Sequence, residues 1–293
     1  MKGKINKKEY FNELEFQNAM RLFSNNHLIA KERFENYIEK YPHDCCARIY
    51  YTLLLILLCE FDKAETEYNV CIQEAENGKY NKLSIKKLRK FKHNLIIAQA
   101  KLLSARHKYQ ELFELLKNNK EHFEAIEQNY IYYFCSIKLN YINEDCKRIK
   151  SYRFKQCYDY SIDAFFEHVK KHQVDCNEEI ELDKTSTFVS GFDTKKIIEE
   201  VKKYVPSNDR LFKGYFEDIY YFRYDNCGHT KYGLTDYFKV ICFHDTNQFI
   251  TMCPVRDCNN IPCIDLNYLQ PQTTQVKRLG QIDKFNKRFK MGD

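Results

Sequence analysis

Five polar side chains in the last third of the chain are of types that can cleave RNA without a metal ion. They are Arg223, His229, Lys231, Tyr232 and Thr251, of which the middle three lie within four residues of one another. Metal-free cleavage requires a general acid, a general base and donors that stabilise a pentavalent phosphate. In this interpretation His229 is the acid or base, and Lys231 and Arg223 stabilise the phosphate. Thr251 orients the phosphate. Together the five side chains predict catalysis without a cofactor.

The same region supports three other interpretations, which the sequence leaves open. Two Cys-x-His pairs, at 227–229 and 242–244, are followed by Cys253, Cys258 and Cys263. These are zinc-binding residue types, although their spacing differs from the paired cysteines of fingers and ribbons. A cysteine nucleophile is another interpretation, but no local sequence singles one out among 13 cysteines and nine histidines. In the last, the region only binds a partner, since a threonine on a strand is an ordinary structural residue.

The elements expected to position these residues form a small α+β domain over 191–293. Two runs rich in β-branched and aromatic residues, 237–243 and 249–255, flank a polar turn and predict a β-hairpin. A further strand is predicted at 219–224, with a turn at 225–230. Upstream, Asp193 is expected to cap a helix that ends at Pro206, and another short helix is predicted at 210–216. Helices followed by strands in this order predict an antiparallel sheet.

The hairpin sequence VICFHDTNQFITMCPV resembles the closing hairpin of the RelE-like and EndoU-like ribonuclease toxins. The resemblance rests on a strand, a polar turn and then Ile-Thr-x-x-Pro. It implies metal-independent RNA cleavage, with Thr251 acting together with His229 and Lys231. Cys253 stands where these toxins often carry a tyrosine, two residues after the threonine.

The first half of the chain has a helical period. Apolar residues recur at helical spacing from Leu14 onward, and a small residue followed four positions later by an aromatic one recurs after 34 residues. The matching pairs are Ala30 and Ala64, Phe34 and Tyr68, and Tyr37 and Cys71. This pattern resembles the tetratricopeptide (TPR) repeat over residues 8–140. The resemblance implies a solenoid whose concave groove binds a peptide or helix of a partner protein.

The repeat pattern departs from that family in its first helix, where Leu14 stands at the usual tryptophan and Asn18 at the usual glycine. Residues 150–172 are expected to form one more helix. In it His168 and His172, at i and i+4, face either a metal or solvent. The segment 174–190 is polar and acidic and predicts a linker. The expected organisation is therefore an all-α TPR-like domain at 1–173, a linker at 174–190 and the α+β domain at 191–293.

Composition predicts a globular chain, with 44% hydrophobic, 15% aromatic and 30% charged residues among 293. The net charge of +6 permits an RNA partner without requiring one. The longest apolar run, 50–59, is too short to span a bilayer, and the first ten residues lack the apolar run of a signal peptide. We therefore expect a cytoplasmic protein with reduced thiols and no membrane partner. The sequence predicts a TPR-like adaptor or scaffold, or alternatively a TPR-regulated, toxin-like ribonuclease.

Overall fold

A computed structural model describes residues 7–23, 26–77, 84–141, 151–173, 186–207, 209–258 and 262–270, with side chains from residue 14 onward. Its N-terminal part is helical and its C-terminal part contains an antiparallel sheet. The α+β fold class predicted from the sequence is confirmed. No helix in the described part of the chain combines the length and the apolar character needed to cross a bilayer.

Seven helices follow one another in the first half of the described chain. Side chains cap several of them: Asn26, Asp44 and Ser84 each accept a hydrogen bond from a backbone N–H in the first turn. The helices are α1 (Lys7–Phe23), α2 (His27–Lys40), α3 (Cys45–Leu57), α4 (Phe61–Glu76), α5 (Ile85–Ala105), α6 (Tyr109–Asn118) and α7 (Ala125–Lys138).

The 34-residue spacing of the sequence corresponds to equivalent positions on α2 and α4. The two helices begin at His27 and Phe61, 34 residues apart. Ala30 and Ala64 are fully buried where each helix packs against its neighbour. A small side chain at this point lets two helices approach closely, and Phe34 fills the space beside Ala30. The 34-residue spacing therefore corresponds to equivalent packing positions on α2 and α4.

The helix predicted over 150–172 is two helices, α8 (Tyr152–Tyr158) and α9 (Ile162–Lys170). The chain breaks between them because Ser161 caps α9, accepting a hydrogen bond from the backbone N–H of Ala164. The buried side chain of Gln156 holds the break, since it bonds both the N–H and the carbonyl of Ser161. A third helix of this part, α10 (Thr194–Val201), begins after Asp193 as predicted.

One sheet contains the strands of the described chain. They are β1 (Thr187–Phe188), β2 (Leu211–Lys213), β3 (Glu217–Thr230), β4 (Gly233–Phe243), β5 (Phe249–Val255) and β6 (Cys263–Asp265). β3, β4 and β5 form an antiparallel meander, and the predicted hairpin of β4 and β5 is present. The other edge of β3 is shared by β2, β6 and β1, of which β6 runs parallel to it.

Two predictions for this region are wrong. The segment 225–230 is part of β3 and not a turn, because a bulge centred on Asn226 (φ 55°) takes up the polar residues and lets pairing resume. The actual turn lies at Lys231 and Tyr232. The segment 210–216 contains strand β2 instead of a helix. Gly214, at φ 62°, adopts a left-handed conformation that turns the chain back into β3.

Helices cover both faces of the sheet. On one face α9 and α10 pack against β3, β4 and β5 through residues such as Phe165, Ile198 and Phe222. On the other face α5, α6 and α7 pack against the same strands, with the ring of Phe134 stacked 3.7 Å from that of Phe216. Two of these elements cross the predicted domain boundaries. β1 lies within the range 174–190 that was predicted as a linker. α9 belongs to the range predicted as the helical domain, yet it packs on the sheet. The division into two domains with a linker stays a prediction.

Candidate functional site

The β3–β4 hairpin brings together three of the five residues predicted to be catalytic. His229 is near the end of β3, and Lys231 and Tyr232 form the turn. The Tyr232 ring is 64% exposed and lies between two cations, with Lys231 Nζ 5.0 Å and Arg256 Cζ 4.7 Å from its centre. Cation–π contacts of this kind stabilise the turn locally.

The other two predicted residues lie elsewhere on the sheet. Arg223 is in the middle of β3, where its guanidinium lies 3.4 Å from Asp225. Thr251 pairs with Ile241 of β4, whereas His229 pairs with Leu234. Leu234 and Ile241 are seven steps apart along β4, which is about 23 Å at the rise of an extended strand. The hairpin tip and Thr251 are therefore at opposite ends of the sheet, and the geometry lends no support to a shared catalytic site.

The metal and thiol interpretations find no support in the described residues either. Among these, no group of three or more histidine, cysteine, aspartate or glutamate side chains could hold a metal ion. His168 stacks on Tyr152 with ring centres 4.1 Å apart, and His172 Nδ1 lies 3.2 Å from the Ser186 carbonyl oxygen. Burial, followed by the proximity of Cys258, raises the pKa of Cys263 to about 12. A thiol in that state is protonated near neutral pH and is a poor nucleophile.

A buried polar cluster, which sequence reasoning missed, joins the sheet to the helices. Asp218 is fully buried, with Oδ2 3.0 Å from Arg210 Nε and Oδ1 2.9 Å from His244 Nδ1. The second ring nitrogen of His244 lies 3.3 Å from the carbonyl oxygen of Ala105 at the end of α5. The available signal was a carboxylate, Asp218, directly before the apolar run of β3 that begins at Ile219. We call Asp218, Arg210 and His244 the junction cluster; its contacts tie β3 and the β4–β5 turn to α5.

Helices α1, α3 and α5 form a groove, which we call the α1/α3/α5 groove. Its volume is about 510 Å³. Its lining residues lie one helical turn apart on each helix, so each helix presents one face to the groove. They are Phe16, Gln17 and Met20 of α1, Cys45, Cys46, Ile49 and Tyr50 of α3, Lys87, Lys90, Phe91 and Asn94 of α5, and Tyr37, His43 and Asp44.

The floor of this groove is apolar and aromatic. Phe16 lies at its centre, with its ring 5.9 Å from that of Tyr50 and 6.0 Å from that of Tyr37. Met20 is partly buried beside it, and Phe91 is only 3% exposed. Concave apolar surfaces with a few polar groups are typical of binding sites.

Two polar groups in the groove wall are among seven buried side-chain atoms that have no hydrogen-bond partner within the described part of the chain. The hydroxyl of Tyr50 and the amide nitrogen of Asn94 are buried, and no described residue accepts a hydrogen bond from either. An unsatisfied buried polar group costs about 1–3 kcal/mol, so proteins rarely contain them without a reason. By contrast, the carboxylate of Asp44 accepts bonds from Tyr37 Oη and Ala47 N. Both unsatisfied groups can donate, so the groove is suited to an occupant with acceptors.

One thiol in the groove wall, that of Cys46, is not a reactive group. The hydrogen bond that it donates to Cys45, together with burial, raises the pKa of Cys46 far above its usual range. Lys90 Nζ lies 5.4 Å from the centre of the Tyr50 ring. The described residues of the groove therefore offer apolar contact, hydrogen-bond donors and positive charge for binding a ligand, and the Cys46 thiol is a poor nucleophile.

Comparison with known proteins identifies no significant relative of this chain. The chain matches no protein-family model, and neither a curated protein nor a solved structure shows significant similarity to it.

Proposed function

We propose that this chain is a protein-interaction adaptor, whose α1/α3/α5 groove binds a segment of a partner protein in the manner of a TPR array. One observation carries the proposal. The groove combines an apolar floor with two buried donors, on Tyr50 and Asn94, that have no acceptor among the described residues. A bound segment removes the apolar floor from water and supplies the missing acceptors.

The sheet supports the groove in this proposal and does not act as a separate enzyme. The junction cluster and the apolar contacts of α5, α6 and α7 attach one face of the sheet to the helices. A groove formed by three helices keeps its shape only if those helices are held in place. The covered sheet does so for α5, which forms one wall of the groove.

Selection of peptides on the full-length chain tests the proposal. A displayed library of random linear peptides is panned on the purified protein, and selected peptides are assayed by fluorescence anisotropy. We expect binding that is lost in Met20→Asp, within the groove, and kept in Leu28→Asp. Leu28 is an apolar residue of α2 that is 49% exposed and lies outside the groove.

A second measurement covers the case in which Met20→Asp perturbs folding. A photoreactive group on a selected peptide should cross-link, on the wild-type chain, to fragments of α1, α3 or α5. Cross-links confined to the sheet, or a library that yields no groove-dependent peptide, contradict the proposal.

A further inference from the structure

The first turns of α5 carry an unusual concentration of positive charge beside the groove. Five exposed cations occupy seven consecutive positions, and the first turn contains no acidic residue. They are Lys86, Lys87, Arg89, Lys90 and Lys92. We call them the basic run.

This arrangement is unfavourable for an isolated helix in two ways. The N-terminus of a helix carries a partial positive charge, which favours acidic residues and disfavours basic ones. Like charges three or four positions apart also repel, as do Lys86 and Lys90. An anion bound beside this part of α5 relieves both effects.

Lysines elsewhere in the described chain often form ion pairs with acidic side chains, whereas the cations of the basic run form none with described residues. Lys63 of α4 lies 2.6 Å from Glu35, and Lys202 just after α10 lies 2.6 Å from Glu199. Within the described residues, no member of the basic run forms an ion pair. Of the described residues that line the groove only Asp44 is acidic, and its carboxylate is already hydrogen-bonded. The described side chains beside the groove therefore carry a surplus of positive charge, which favours an anionic occupant.

From these observations we infer that the segment bound in the groove is acidic, with carboxylates against Lys87 and Lys90 and backbone oxygens accepting from Asn94 and Tyr50. This inference rests on the proposed function and specifies the partner's chemistry. An apolar side chain of the same segment occupies the floor beside Phe16. A peptide fits these features better than a nucleic acid, because the buried donors and apolar floor lie within one groove of about 510 Å³.

The spacing along α5 sets the register of the segment. Lys87, Lys90 and Asn94 lie on one face of the helix, and seven residues separate the first from the last. At the rise of an α-helix this is about 10 Å, which an extended peptide covers in about three residues. In the bound peptide, the acidic residue that contacts Lys87 therefore stands about three positions from the residue whose backbone oxygen accepts a hydrogen bond from Asn94.

The peptides selected on the full-length chain also test this inference. We expect enrichment of aspartate and glutamate near an apolar residue, and an affinity that falls as salt is added. Lys87→Gln with Lys90→Gln should weaken binding about ten-fold at low salt. Tyr50→Phe, which removes only the hydroxyl, should weaken it about ten-fold as well.

A matched pair of lysines serves as the control. Lys202→Gln with Lys203→Gln removes the same charge from the end of α10, where both lysines form ion pairs and neither lines the groove. This variant should bind the selected peptides as the wild type does. Equal weakening by both double variants means a non-specific charge effect and overturns the inference.

The remaining outcomes separate the inference from the proposed function. Groove-dependent peptides without acidic enrichment, unaffected by Lys87→Gln with Lys90→Gln, overturn the acidic partner and leave the adaptor proposal standing. A library with no groove-dependent peptide contradicts both. A single-stranded oligonucleotide that displaces the peptides, and whose own binding depends on Lys87 and Lys90, shows that the anion is a nucleic acid and also overturns the inference.

Discussion

The junction cluster and the α1/α3/α5 groove both place polar side chains among apolar helices, yet they differ in how those side chains are compensated. In the junction cluster Asp218 faces Arg210 and His244, so the buried charge has partners within the chain. In the groove Tyr50 and Asn94 have none among the described residues. The first arrangement stabilises the fold, whereas the second leaves bonding capacity for another molecule.

The largest expected effect comes from removing the centre of the junction cluster. Asp218→Ala leaves Arg210 and His244 buried without their carboxylate and should lower the free energy of unfolding by about 3–5 kcal/mol. Urea denaturation followed by circular dichroism measures it. Asp257→Ala, which removes an exposed partner 3.6 Å from Arg256, is the control and should change stability by less than about 1 kcal/mol. Equal losses in the two variants contradict a structural role for the cluster.

Removing the hydroxyl of a tyrosine that donates a hydrogen bond within the chain should make the protein less stable. Tyr130 donates a 2.8 Å hydrogen bond to the buried carboxylate of Glu217, which also lies 2.8 Å from Arg153 Nη1. Tyr130→Phe should lower the free energy of unfolding by about 1.5–3 kcal/mol, the range for hydrogen bonds to charged groups. The same urea titration measures this change, and an unchanged midpoint means that the hydroxyl has no net effect.

The same tyrosine-to-phenylalanine substitution in the groove should change the free energy of unfolding in the opposite direction. Tyr50→Phe removes a buried hydroxyl that has no acceptor among the described residues, so it should raise the free energy of unfolding by about 1 kcal/mol. A variant that is more stable but binds selected peptides less tightly is the signature of a functional polar group. A loss of stability comparable to that of Tyr130→Phe means that the hydroxyl is satisfied within the chain.

The smallest expected effect concerns two buried thiols and the pH dependence of stability. Burial raises the pKa of Cys71 and of Cys135 to about 12, whereas an unfolded thiol loses its proton near pH 9. A raised folded-state pKa contributes stability that is complete below the unfolded pKa and is lost as pH rises toward the folded value. Each thiol should therefore cost about 0.8 kcal/mol at pH 9.5 relative to neutral pH.

Urea titrations under reducing conditions at pH 7.5 and 9.5 measure this loss. The Cys71→Ala and Cys135→Ala double variant is the comparison. It should be less stable at pH 7.5, because it leaves cavities, but should lose less stability between the two pH values. An equal loss in both proteins shows that these thiols do not account for the pH dependence.

Sequence reasoning was most successful where a pattern depends on neighbouring residues. The β4–β5 hairpin, the start of α10 after Asp193 and the equivalence of Ala30 with Ala64 were all predicted correctly. It was least successful where a glycine or a bulge changed the path of the chain, as at Gly214 and Asn226. Polar residues in a bulge look like a turn in the sequence, because both tolerate the same residue types.

The sequence by itself determined that helices come first and that the β4–β5 hairpin follows, because helical and strand periodicities are written in residues a few positions apart. Only the tertiary structure decided which polar groups meet. Strand register separates Thr251 from His229, and packing brings His244 to Asp218 and to the end of α5. The α1/α3/α5 groove is likewise formed by helices that are not consecutive. Such contacts join residues far apart in the chain, so they depend on how whole elements pack and not on any local pattern.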